Sequence, residues 1–258
     1  MKRDTEVRLE NHTRREFREA LDAGQFRAAI IATGSIEQHM EHLEFPQDIT
    51  SSTYVAERAA ENLYPHVVVS VPMAIGISEH HMGFPGTMSA RPGSWLAVLF
   101  DAVESIVRHG IKKVLILNGH GGNVAPVEGV INQWNLLLTA NYGNPLSASV
   151  KTSIRTNSQY VSALLDRDDA GIDLRFNSYW DLIPEDFAHE VLDSGVYPGH
   201  AGEFETSFSL FAQPEVVRQQ AIAHSEDASS DATAEKGRLL ADRAIEGVTA
   251  LVKEMLNG

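Results

Sequence analysis

Short apolar runs rich in β-branched residues alternate with longer segments of helical spacing along the chain, and this alternation restricts the fold more than any other feature. Strand candidates are 27–33, 67–72, 113–118 and 148–154. Helical spacing occupies 13–23, 50–62, 94–110, 125–139 and 232–256. In 94–110 the apolar positions Trp95, Val98, Leu99, Ala102, Val103, Ile106 and Val107 recur at three and four, so they share one helix face. Gly110 suits the left-handed residue that ends such a helix. Strands that alternate with helices run mostly parallel, because each crossover returns the chain over a sheet face. The expected fold is α/β, with a mostly parallel sheet covered by helices. No fixed-period repeat or low-complexity tract interrupts it, so 1–258 reads as one domain, with 224–233 as a solvated loop before the last helix. The segment 157–198 is the least regular and concentrates Tyr160, Tyr179, Trp180 and Tyr197. Long irregular segments are disproportionately functional, so it reads as a cover over a site.

Composition removes several chemistries. Cysteine is absent from the 258 residues, which excludes disulfides, thiolate metal sites and cysteine nucleophiles. Any metal must be held by nitrogen and oxygen. The 35 acidic and 21 basic side chains give a net charge of −14, which repels phosphate backbones and anionic lipid. Neither nucleic acid nor a membrane is an expected partner. No uncharged apolar run reaches the ~18 residues of a membrane span. Residues 1–17 carry no apolar stretch of the kind a secretory signal needs, so a cytoplasmic location is expected.

Six of the eleven histidines fall in four clusters, each beside an apolar run. The first is Gly34-Ser35-Ile36-Glu37-Gln38-His39-Met40-Glu41-His42, with Asp48 beyond it. It follows a strand, where open α/β sheets bind ligands. Glu37 and His39 share a face if the backbone is extended, and Asp48 can return after the turn suggested by Pro46. Carboxylate, imidazole and carboxylate suit Zn²⁺, Mn²⁺ or Fe²⁺, although acidic residues and histidines also share loops by chance. The second cluster is Asn118-Gly119-His120-Gly121-Gly122-Asn123. It fails the dinucleotide fingerprint because the sixth position from Gly119 is Val124, and no Gly-Lys-Ser/Thr follows for a P-loop. What remains is a histidine on a glycine-rich turn expected to face solvent.

In the third cluster, Ser78-Glu79-His80-His81-Met82-Gly83-Phe84-Pro85-Gly86-Thr87, Pro85-Gly86 suits a type II turn. Adjacent histidines in extended backbone face opposite ways, so only one of His80 and His81 is expected in a shared site. The fourth, Gly199-His200-Ala201-Gly202-Glu203-Phe204-Glu205-Thr206-Ser207, opens a helical pattern over 204–211. Glu203 and Glu205 complement the positive helix end, which would also hold His200 neutral and able to accept a proton.

Together these clusters resemble the creatininase family, also called creatinine amidohydrolase-like proteins, with the motifs in family order between Gly34 and Ser207. The resemblance implies a three-layer α/β/α sandwich, two divalent metal ions per subunit (Zn, Mn or Fe) and assembly as a homohexamer. Glu37, His39, Asp48 and His120 match the family's metal-ligand positions, with the aspartate bridging. Glu205 matches a glutamate expected near the metals, His200 a histidine implicated in proton transfer, and Trp180 in Ser178-Tyr179-Trp180-Asp181 an aromatic that covers substrate. Three departures stand out. Creatininase proper has a glutamate ligand where this chain has Gly122, which argues against creatinine as the substrate. Met40-Glu41 replaces a common Gly-Pro, and His80 stands where relatives carry glutamate. Glu41, His80, His81, Tyr179 and Trp180 are accordingly the expected substrate contacts.

Two cations sharing one aspartate would lower the pKa of a water toward ~7, and His200 would move a proton to the leaving group. The expected reaction is cleavage of a C–N bond in a small amide, cyclic amide or formamide. Hydrolysis of a C–C bond in a cyclic β-diketone such as a dehydro-inosose is the alternative. A non-catalytic metal-binding protein is the third.

Overall fold

The computed structural model describes residues 5–165, 171–222 and 228–258. In chain order its elements are α1 (Arg14–Asp22), β1 (Ala28–Thr33), α2 (Gln47–Asn62), β2 (Val67–Val69), α3 (Pro92–Arg108) and β3 (Lys113–Asn118). There follow α4 (Val124–Glu128), α5 (Ile131–Tyr142), α6 (Ala148–Ser153), α7 (Asn157–Leu165), β4 (Asp173–Ser178), α8 (Glu185–Val191), α9 (Glu203–Ala212), α10 (Gln219–Ile222) and α11 (Ala234–Asn257). The four strands are parallel in the order β2-β1-β3-β4, with Thr33 level with Asn118 and Asn118 level with Ser178.

The pleat sends alternate side chains of the central strands into opposite layers. Ala28, Ile30, Ala32, Leu115 and Leu117 pack with Val55, Ala59, Phe208 and Val248 of α2, α9 and α11. Ala29, Ile31, Val114 and Ile116 pack with Val103, Val107 and Leu138 of α3 and α5. All six residues of β1 are buried, which explains a continuous apolar run where a one-sided sheet would alternate. This is the three-layer α/β/α sandwich that the resemblance implied.

Several local expectations are corrected. Residues 148–154 form no strand. They contain α6, whose first turn is capped by the Ser147 hydroxyl accepting from Val150 N at 3.3 Å. The fourth strand is β4, whose six residues DLRFNS include only two apolar side chains. Its pairing with β3 is non-local, so periodicity could not reveal it. The segment 157–198 is not irregular, since its described residues hold α7, β4 and α8, while 166–170 lie outside the described residues. The helix expected over 125–139 breaks between α4 and α5 at Gly129 and Val130. Strand β2 is shorter than 67–72. Helix α2 begins at Gln47 rather than residue 50, which brings Asp48 into its first turn. Of the loop expected over 224–233, residues 224–227 lie outside the described residues, and Ala228–Asp231 forms a 3-10 turn before Thr233 caps α11. Gly110 follows α3 with φ +99°, as its spacing suggested. Among the described residues, no helix is long and apolar enough to cross a membrane.

Candidate metal centre

The loops leaving the carboxyl ends of β1, β3 and β4 are tied together by two buried asparagines. Thr33 Oγ1 donates to Asn118 Oδ1 at 3.1 Å, while Asn118 Nδ2 donates to Ser178 Oγ at 3.1 Å and to His120 O at 2.7 Å. Asn123 Nδ2 donates to Gly34 O at 3.1 Å, and its Oδ1 accepts from Ile77 N at 3.0 Å. Two glycines then admit the first turn of α2. A Cβ on Gly34 would lie 2.4 Å from Ile49 N, and one on Gly119 would lie 2.2 Å from Asp48 O. A side chain at either position would push Asp48 away from the strand ends.

Asp48 is buried in that first turn, where the positive helix end favours a carboxylate. Its Oδ1 lies 3.0 Å from His39 Nε2, and its Oδ2 lies 3.0 Å from His120 Nδ1. Glu37 Oε1 is 3.4 Å from the same His120 nitrogen, and its other oxygen accepts from the Ser78 hydroxyl. Glu205, in the first turn of α9, accepts from Ala201 N and reaches within 3.8 Å of His39 Nε2. The outer nitrogens of both rings rest on carbonyls, His39 Nδ1 on Glu37 O and His120 Nε2 on Ile77 O, each at 3.0 Å. A carbonyl only accepts, so the outer nitrogens carry the hydrogens and neutral rings turn lone pairs inward. A lone pair and a carboxylate oxygen 3.0 Å apart need a proton or a cation between them. Asp48 Oδ2 has no partner of hydrogen-bond geometry, and a buried orphan oxygen beside an imidazole nitrogen fits a metal ion.

Without a metal, protons take those places. Burial works against the charged ring of His39, yet the charge and hydrogen bond of Asp48 raise it to about 9. For His120 burial is likewise overcome by the adjacent carboxylates of Asp48 and Glu37, which raise it to about 10. Burial alone would raise Asp48 and Glu37, but the histidines hold both below the usual carboxylate range. Glu205 behaves oppositely. Its burial, only partly offset by His39, pushes it up to about 7.

His200 borders the cluster, with Nδ1 3.6 Å from Glu37 Oε1 and its ring 4.5 Å from those of His39 and His81. Burial first, and then the charge of His39, lower it to about 4, so the expected direction holds for a different cause. Both His80 and His81 reach the site, correcting the expectation of one. They lie on the 3-10 turn Glu79–His81, not on extended backbone, with His80 stacked on His120 at 5.6 Å and His81 on His200 at 4.5 Å. Phe84-Pro85-Gly86-Thr87 forms the expected turn, with Gly86 at φ +101° and Thr87 N donating to Phe84 O.

His120 is only 3% exposed, so its loop does not present it to solvent. A Cβ on Gly122 would meet Ile77 O at 2.2 Å and His120 Nε2 at 2.5 Å, so no ligand side chain can stand there without displacing His120. Tyr179 is buried against Trp180, Phe204 and Phe208, a core position that gives substrate no surface to touch. Trp180 is half-buried beside it, and Glu41 is exposed. Sequence reasoning passed over Gln38 and Ser78. Their signal was position alone: Gln38 stands between two candidate ligands, and Ser78 opens the histidine turn. Glu203 belongs to the scaffold, accepting from Asp193 N, Ser194 N and Lys236 Nζ.

The family model for creatininase, described as creatinine amidohydrolase, matches residues 10–248. The chain belongs to the creatininase family. A creatinine amidohydrolase from Pseudomonas putida is 22% identical over 276 residues, covering 94% of each chain. A mycofactocin precursor peptide peptidase from Mycobacterium ulcerans is 28% identical over 158 residues, or 55% of this chain and 62% of the relative. A 3-dehydro-scyllo-inosose hydrolase from Thermotoga maritima is 31% identical over 122 residues, or 47% of this chain and 38% of the relative. The chain thus spans under two thirds of these last two relatives. A crystal structure of creatinine amidohydrolase (creatininase) superposes with a TM-score of 0.75 at 20% identity, covering 98% of both chains, which shows the shared fold.

Proposed function

We propose that this chain is a metal-dependent hydrolase that holds two divalent ions (zinc, manganese or iron) and cleaves a C–N bond in a small amide, cyclic amide or formamide. Asp48 carries the reading, as one buried carboxylate that turns each of its oxygens to a different histidine at 3.0 Å. One ligand set would be His39, Asp48 Oδ1 and Glu205, and the other His120, Asp48 Oδ2 and Glu37. When bound, the ions would polarise the scissile carbonyl and acidify a water. The chain's own residues prepare the site. Glu37 O and Ile77 O orient the two ligand rings and Ser78 holds the second oxygen of Glu37, while His200 would pass a proton to the leaving group. His80, His81, Trp180 and Glu41 would meet the substrate at the mouth. Solved creatininases include an Mn form and a Zn-Zn form of a mutant, which supports the choice of ions. Assembly as a hexamer belongs to the same proposal.

Similarity to the inosose hydrolase favours one second reading, C–C hydrolysis of a cyclic β-diketone. Protein loaded with zinc or manganese, incubated with lactams, formamides, short peptides and cyclic diketones, separates the two by product mass. Amine release supports the first reading. Ring-opened acid from the diketone alone transfers the proposal to the second. No turnover, with less than one divalent ion per chain, overturns both in favour of a non-catalytic protein.

A further inference from the structure

Five histidines reach the site, and the groups behind four of them divide those four into two pairs. His39 and His120 rest on carbonyl oxygens. His81 and His200 rest on a single side chain, since Gln38 Nε2 lies 2.9 Å from His81 Nδ1 and 3.0 Å from His200 Nε2. Which end of a carboxamide is nitrogen has to be read from its partners. Here the backbone N–H of Met40 meets the other end of Gln38 at 3.0 Å. A backbone N–H only donates, so that end is the oxygen and the end facing the rings is the NH₂. The NH₂ has two hydrogens and nothing to accept with, so each ring nitrogen facing it must be bare. His81 therefore keeps its hydrogen on Nε2 and His200 keeps its hydrogen on Nδ1. Those are the inward nitrogens, 3.7 and 3.6 Å from Glu37 Oε1.

We propose that Gln38 is a positioning residue that locks His81 and His200 as paired N–H donors into the site, where they clamp an acceptor oxygen of the substrate and do not ligate metal. Both rings lie close enough to Glu37 for their nitrogens to join a metal-holding group, all ligand atoms being within 4.8 Å of one another. Distance is not the criterion, because a ligand needs a lone pair and these two rings turn hydrogens inward. The four histidines thus separate into two that offer lone pairs, backed by carbonyls, and two that offer hydrogens, backed by an amide. The substrate part of this proposal rests on the hydrolase reading. It specifies a carbonyl or carboxylate oxygen at the clamp and rejects an ammonium group, which would meet hydrogens with hydrogens.

The test is ¹⁵N spectroscopy of histidine-labelled, zinc-loaded protein, which distinguishes a bare ring nitrogen from N–H and from zinc-bound nitrogen. Signals are assigned with His81→Phe and His200→Phe variants. Expected are Nε2–H for His81 and Nδ1–H for His200, with neither ring on zinc. Gln38→Glu, which puts an acceptor oxygen where the NH₂ stood, should place hydrogens on His81 Nδ1 and His200 Nε2. Acetate should shift the two inward N–H signals and methylammonium should not. The proposal is overturned by zinc on either ring, by the opposite tautomers in the unaltered protein, or by N–H signals that ignore acetate. Should Gln38→Glu fail to fold, the spectra of the unaltered protein decide the matter. They do so whether or not any substrate is turned over, which keeps this result separate from the hydrolase reading.

Discussion

The floor of the site and its mouth are held in different ways. On the floor, Glu37, His39, Asp48, His120 and Glu205 are buried, and apart from Asp48 Oδ2 their polar atoms are held by one another, by Ser78 or by backbone groups. At the mouth, Glu41, His80 and Phe84 are exposed, Phe84 at 55%. An enclosed polar network has one arrangement that satisfies it, whereas exposed side chains are solvated in many. The floor is thus suited to a chemistry shared across a family, and the mouth is free to change substrate. The departures at Met40, Glu41 and His80 fall at the mouth, in agreement with that division.

The severest test of the floor is Asp48→Ala, which should remove both ions by metal analysis and all turnover. One ion retained would mean that the carboxylate does not bridge. His120→Ala should lose metal and also destabilise the metal-free fold by about 3 kcal/mol in denaturant titration, because it takes from buried Asp48 and Glu37 the cation between them. A surface histidine, as the sequence suggested, would cost little. His200→Ala sits on the boundary and should keep its metal while kcat falls about 10²–10⁴-fold. Loss of metal there would move His200 into the floor.

The floor should also respond to pH. In the metal-free protein His39 and His120 titrate near about 9 and about 10, above the ordinary histidine value. Their stabilisation is complete below about pH 6.5 and is lost as pH rises through 9–10, so melting temperature should fall across that range. Metal uptake at pH 7 should release protons into weak buffer, and apparent affinity should climb with pH until those rings are neutral. The smallest effect lies at the mouth. Met40 holds φ +53°, a conformation that costs a non-glycine residue about 1 kcal/mol, so Met40→Gly should leave stability level or slightly higher and metal content unchanged.

Part of the floor was legible in the chain because Glu37, His39 and Asp48 sit in a short segment beyond a strand end, where ligands are expected. The family resemblance added the ligand positions of His120 and Glu205. Their surroundings could not. The burial of His120 depends on Ile77 O, 43 residues away, and strand β4 depends on pairing with β3, more than fifty residues earlier. Tyr179 looked like a substrate contact beside Trp180, yet it faces α9, which only the fold brings near.

The alternation of apolar runs, the absence of cysteine and the four histidine clusters pointed by themselves to a parallel α/β fold and to a candidate metal site of nitrogen and oxygen donors. Local spacing and donor chemistry are properties of the chain, so they survive without a structure. Tertiary packing alone decided which nitrogen of each ring faces inward. That choice is made by the group behind the ring: a carbonyl behind His39 and His120, and the Gln38 amide behind His81 and His200. For His120, His81 and His200 that group comes from a distant part of the sequence.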